Sequence, residues 1–182
     1  MQTIKSIFKY FFLAITLIIT ITTASYLIHP RKTFSYCKSG LVVVLKTVNR
    51  TKPYPTKNGV HPILAAKVTK VLTAAHKKGI DLRVVRGFRS FEEQEKLFNQ
   101  GRTTKGGIVT NAIPGLSYHN YGWAVDVCEY RNGQPYWSSK KWDEIGSFGK
   151  NQGLVWGGDW TNFVDRPHLQ LSIQDILTEV IF

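Results

Sequence analysis

"SYHNYGWAVDVCEY", residues 117–130, decides how this chain folds. A helix would put His119 and Asp126, seven positions apart, on one face. Gly122 and the β-branched and aromatic residues after it argue against that helix. The stretch reads instead as a loop carrying His119, a bend at Gly122, and a strand starting near Gly122 or Trp123. Along the strand Trp123, Val125 and Val127 point one way, and Ala124, Asp126 and Cys128 the other. Asp126 then stands on a half-buried face among small residues, where an ionised carboxylate needs a cation or several donors. Taken alone, the pair fits a capping histidine and a salt-bridged aspartate as well as a shared metal.

Downstream, "WGGDWTNFVDRPHLQL" (156–171) changes that balance. Pro167 pushes Arg166 towards an extended conformation, so "PHLQL" reads as a strand. On it His168 and Gln170 share one face while Leu169 and Leu171 share the other. His119, Asp126 and His168 make a two-nitrogen, one-oxygen set suited to zinc with a fourth position open. A hydrolase also needs a general base, and Asp165 is the nearest candidate. Its alternative is an ion pair with Arg166 or another surface cation. Asp159, after two glycines, reads as a turn former or helix cap.

Upstream, apolar residues from Pro62 to Lys78 recur at helical spacing, and Gly79 ends that helix. "IDLRVV" alternates as a strand, and "RGFRS" is the turn after it. Ser90 and Glu93 form a capping box for the helix "FEEQEKLFNQ", which stops at Gly101. Arg89 sits in the turn, where its side chain either reaches into a cleft or is one more solvent-facing cation. "KKWDEIGSFGKNQG" is a helix ending at Gly153, and "LVWGG" a short strand. Helices and short strands joined by turns predict an α+β domain with a small antiparallel sheet and flanking helices.

The 182 residues suffice for one domain with an appendage, and 43% hydrophobic residues can supply its core. A net charge of +12 suits a polyanionic neighbour: nucleic acid, anionic lipid or an anionic wall. The N-terminus chooses among them. Lys5 and Lys9 precede an uncharged run from Tyr10 to Ile28, nineteen residues, long enough to cross ~30 Å of hydrocarbon. The charge bias predicts export of everything after it, as a signal anchor or a cleaved signal peptide, the length favouring the anchor. Export argues against nucleic acid as the partner. The expected organisation is a signal segment over 1–28, a membrane-proximal connector over 29–60 and the folded domain over 61–182. Cys37 and Cys128 are too few for a disulfide framework, and Cys128 reads best as a small buried apolar residue.

"GFRSFEEQ", "SYHNYGWAVD" and "DRPH", in that order, resemble the zinc-dependent D-alanyl-D-alanine peptidases, the family of VanY-type carboxypeptidases and phage endolysins. "SYHNYG" and "WGGDW" most resemble its bacterial peptidoglycan L-alanyl-D-glutamate endopeptidases, and the likeness covers about residues 60–171. It implies zinc on His119, Asp126 and His168, with Asp165 as catalytic base, a shorter variant of the glutamate many relatives carry. It implies that Arg89 holds a substrate carbonyl or carboxylate, with Ser117 and Gln94 lining the pocket. It also implies the α+β fold shared with the Hedgehog signalling domain. The expected substrate is peptidoglycan, met by a monomer at the membrane or in the wall. Attraction to anionic wall polymers should weaken at high salt. A D-alanyl-D-alanine carboxypeptidase and a catalytically silent zinc-braced wall-binding module remain the alternatives.

Overall fold

The computed structural model describes residues 53–176 and residue 178. The apolar stretch 10–28, Cys37 and most of the expected connector lie outside the described residues. Among the described residues no helix is long and apolar enough to cross a membrane.

Helix α1, Pro62–Lys77, begins where the sequence predicts, with Pro62 in its first turn and His61 as cap. Leu64, Val68, Val71 and Ala75 form its buried stripe. Of these, Leu64, Val68 and Val71 each contribute roughly 1.5–3 kcal/mol by burial. Strand β1, Leu82–Arg86, leads through the Gly87–Arg89 turn to α2, Phe91–Asn99. Both halves of the Ser90–Glu93 capping box are formed. A long loop then reaches a 3-10 turn, Tyr118–Tyr121. Gly122 ends that turn at φ +66°, and a Cβ there would crowd the Gly59 carbonyl, so glycine is required on both counts.

Strand β2, Ala124–Arg131, is the centre of the sheet, with Ala124, Val125, Val127 and Cys128 wholly buried. It turns at Asn132 and Gly133, both at positive φ, into the short β3, Gln134–Pro135. Helix α3, Trp142–Lys150, is followed by β4, Val155–Trp156, a 3-10 turn at Gly157–Asp159, β5, His168–Gln170, and a last short helix α4, Ile173–Asp175. The sheet order is β1-β2-β5-β4, with β3 on β2, and every pairing is antiparallel. Helix α3 lies tight on it because Gly146 faces Trp156 and Gly149 faces Leu169. A methyl at either glycine would collide with that neighbour. Residues 53–60 join the same packing, and Val60 is buried against it. The expected small antiparallel sheet with flanking helices is what the chain forms.

Candidate metal centre and cleft

Register brings the first two candidate ligands together. Asp126 on β2 is directly opposite His168 on β5, so both side chains leave the same face of the sheet. His119 arrives from the 3-10 turn, whose backbone is tied to the β1–α2 turn by the Arg89 N–H donating to the His119 carbonyl at 3.0 Å. Asn120, fully buried, locks the same junction by donating to the Arg89 and Ser90 carbonyls and accepting from the Gly115 N–H.

The result is a triangle. His119 Nε2, His168 Nδ1 and Asp126 Oδ1 stand 3.2 Å from one another on all three sides. Tetrahedral zinc with nitrogen and oxygen ligands at ~2.0–2.1 Å holds those ligands roughly 3.3 Å apart. Proton placement agrees. His119 Nδ1 is 2.8 Å from the Gly87 carbonyl, which can only accept, so Nδ1 donates and Nε2 turns its lone pair inward. His168 Nε2 donates to Gln170 Oε1 at 3.0 Å, which turns Nδ1 inward in the same way. Two neutral lone pairs and an anion converge on one point, and a divalent cation satisfies all three. The donor set fits zinc. These three residues also form a metal-competent group by proximity of their ligand atoms.

The triangle faces a cleft of about 670 Å³ whose wall includes Arg89, Ser117, Tyr118, Trp160, Phe163 and Asp165. Asp165 is held through its backbone, its N–H donating to the Gly157 carbonyl at 2.9 Å. Its carboxylate makes no ion pair with Arg166 or any other described residue, which removes the alternative offered by the sequence. Burial pushes its carboxyl up, the charge of Asp126 pushes the same way, and His168, His119 and Arg89 pull it down; the net direction is upward. A carboxyl held above its ordinary range beside a metal-ligand triangle is suited to accept and return a proton.

Arg89 points into the cleft with its guanidinium clamped by Gln94 Oε1 at 2.9 Å and by Asp126 Oδ2 at 3.5 Å. Its Nε is buried and finds no partner among the described residues. Ser117 lines the cleft as expected. Gln94 does not: it is wholly buried behind Arg89, and its amide nitrogen donates to the Ala112 carbonyl at 2.8 Å. Its place is that of a bracket between Arg89 and the 110–112 loop, because α2 turns this face inward under that loop. Asp159 pairs with Lys150 at 3.0 Å, away from the ligands. Cys128 is a buried free thiol and no ligand. Gly87, Asn120 and Gln170 were not singled out as site residues by sequence reasoning. For Gln170 the signal was present, since it shares the His168 face of β5.

Comparison with known proteins agrees with this architecture. The family described as VanY, D-alanyl-D-alanine carboxypeptidase, matches residues 57–153. The chain is 41% identical over 133 residues to the peptidoglycan L-alanyl-D-glutamate endopeptidase CwlK of Bacillus subtilis (strain 168), covering 68% of this chain and 80% of that protein. It is 29% identical over 117 residues to the L-alanyl-D-glutamate peptidase of Listeria phage A118, covering 63% of this chain and 38% of the phage protein. A solved structure of VanYB in complex with D-alanine-D-alanine shares the fold at a TM-score of 0.51 and 18% identity, over 74% of this chain and 91% of that one. The chain belongs to the VanY family. The family match stops before Asp165 and His168, so the placement of those two rests on the geometry above.

Proposed function

We propose that this chain is a zinc-dependent peptidoglycan peptidase that hydrolyses the L-alanyl-D-glutamate bond of the peptide stem. The observation that carries the chemistry is the 3.2 Å triangle of His119, Asp126 and His168 opening on a cleft that also holds an unpaired Asp165. The choice of bond is supported by the 41% identity to CwlK. When bound, zinc supplies Lewis-acid polarisation of the scissile carbonyl and acidifies a water. The remaining work belongs to side chains. His119, His168 and Asp126 would hold the ion on the face of the sheet that lines the cleft. Asp165 takes the proton from the attacking water and returns it to the departing amine. Arg89 sets a fixed positive charge against the carbonyl oxygen or a substrate carboxylate, in a site where little solvent competes. Ser117 lines the same wall.

The second reading, removal of a terminal D-alanine, is supported by the description of the matching family. The two differ in product: a carboxypeptidase releases one alanine, and the endopeptidase separates the stem beside its L-alanine. Purified wall incubated with the protein, with and without a chelator, and analysed by mass spectrometry should show chelator-sensitive scission next to L-alanine. Release of alanine alone would move the assignment to the second reading, and intact wall would sink both. We further infer that the enzyme acts outside the cytoplasm, anchored through residues 10–28 or released into the wall as a monomer. The run of apolar residues behind Lys5 and Lys9 supports this, and the net charge of +12 suits anionic wall polymers.

A further inference from the structure

A second cavity of about 220 Å³ lies beside the catalytic cleft, lined by Trp137, Trp142, Val164, Asp165, Arg166 and Pro167. Trp137, Asp165 and Pro167 line the main cleft as well, so the two spaces adjoin across those three residues. The cations of the two cavities differ in their partners. Arg86 faces Glu93 at 3.5 Å, and Arg89 is held by Gln94 and Asp126. Arg166 is exposed, and its guanidinium makes no hydrogen bond or ion pair with any described residue. Beside it stand the indole of Trp137 and the side chain of Val164, 54% and 51% exposed. A free guanidinium flanked by uncovered apolar surface suits a ligand that carries an anion on a short carbon chain.

Position says which part of a substrate would arrive there. In the activity proposed above, Asp165 returns a proton to the departing amine, so the amine-bearing half of the cut peptide lies against Asp165. That half leads towards the second cavity, because Asp165 lines both. For an L-alanyl-D-glutamate bond it begins with glutamate, which has two carboxyl groups, and a peptide chain continues through at most one of them. A free carboxylate therefore remains close to the new amine. We propose that Arg166, with Trp137 as its apolar wall, is the specificity subsite for that carboxylate. This inference rests on the proposed endopeptidase reading. The guanidinium is suited to paired, charge-assisted hydrogen bonds to a carboxylate, whereas a carboxamide offers no charge.

The test uses the full-length, zinc-loaded protein and two synthetic peptides containing the L-alanyl-D-glutamate bond. One bears the free glutamate carboxylate and the other its carboxamide. The wild type should favour the carboxylate by about 10- to 100-fold in kcat/KM, the range expected for a hydrogen-bonded charge. Arg166→Gln should lose that preference by slowing the carboxylate peptide alone, and Arg166→Glu should reverse it. Trp137→Ala should raise KM for both peptides. Calorimetric titration of the metal-free protein with the two glutamate-terminated product peptides should give the same order of affinity, independently of turnover. Equal loss on both peptides in Arg166→Gln, or an unchanged ratio, overturns the subsite. If neither peptide is cut while the Arg166-dependent difference in binding persists, the subsite stands and the bond assignment falls. If both are absent, both proposals fall.

Discussion

Asp126 and His168 stand opposite each other in the β2–β5 ladder, and the outward nitrogens of His119 and His168 are each fixed by an acceptor. At the cleft wall Val109 and Trp137 are 45% and 54% exposed, and Val164 of the adjoining cavity is 51% exposed. Arg166 beside them is unpaired among the described residues. The floor is thus set by strand register, which a side-chain change at the mouth does not move. The mouth is lined by side chains about half exposed to solvent. In the proposed function chemistry belongs to the floor and selectivity to the mouth, and substitutions should separate them.

The largest effect is expected where the floor meets the reaction. Asp165→Asn keeps the shape and the ligands but removes the proton acceptor, so kcat should fall by ~10²–10⁴-fold with metal content unchanged. Steady-state kinetics beside metal analysis checks it, and lost metal would mean Asp165 helps hold the site together. Next comes the support behind the floor. Gln94→Ala strips Arg89 and the Ala112 carbonyl of their buried partner, which should cost ~1–3 kcal/mol in denaturant unfolding and raise KM. If stability drops without any change in KM, Arg89 does not touch substrate.

A third effect concerns the far end of β2. Burial raises the Glu129 carboxyl, but the Ser139 hydroxyl and Arg131 more than offset it, so its folded value lies below the ordinary one. A lowered acid stabilises the fold fully above its unfolded value of ~4.3, and that contribution is lost as pH falls through the folded one. The melting temperature of the wild type should therefore fall more steeply than that of Glu129→Gln between about pH 5 and pH 3. Parallel curves would remove the pairing from the stability account. The smallest effect belongs to the mouth. Val109→Ser, at an exposed position of the cleft wall, should change stability by less than ~0.5 kcal/mol and alter only KM, checked by thermal melts and initial rates.

Much of the floor could be read from the residues because local chemistry and tertiary role coincide there. Pro62, the Ser90–Glu93 box and Pro167 mark element ends by mechanisms that act within a few residues, and each element begins where they place it. His168 and Gln170 share a strand face by periodicity alone. The β2–β3 hairpin carried its own signal, Asn132-Gly133, the pair that turns most readily at positive φ, and it went unread. Other features are not local. The register irregularity between Val84 and Arg86 arises from pairing with β2. The inward burial of Gln94 depends on a loop some sixteen residues away closing over α2. The contribution of Trp160 and Phe163 to the cleft wall likewise exists only once β4 and β5 are paired.

Metal analysis of the dialysed full-length protein, wild type against Asp126→Ala, tests the central claim most directly. The account predicts one zinc per wild-type chain, lost in the variant while the fold is retained by circular dichroism. A wild type that binds no zinc, or a variant that keeps its full complement, would contradict it.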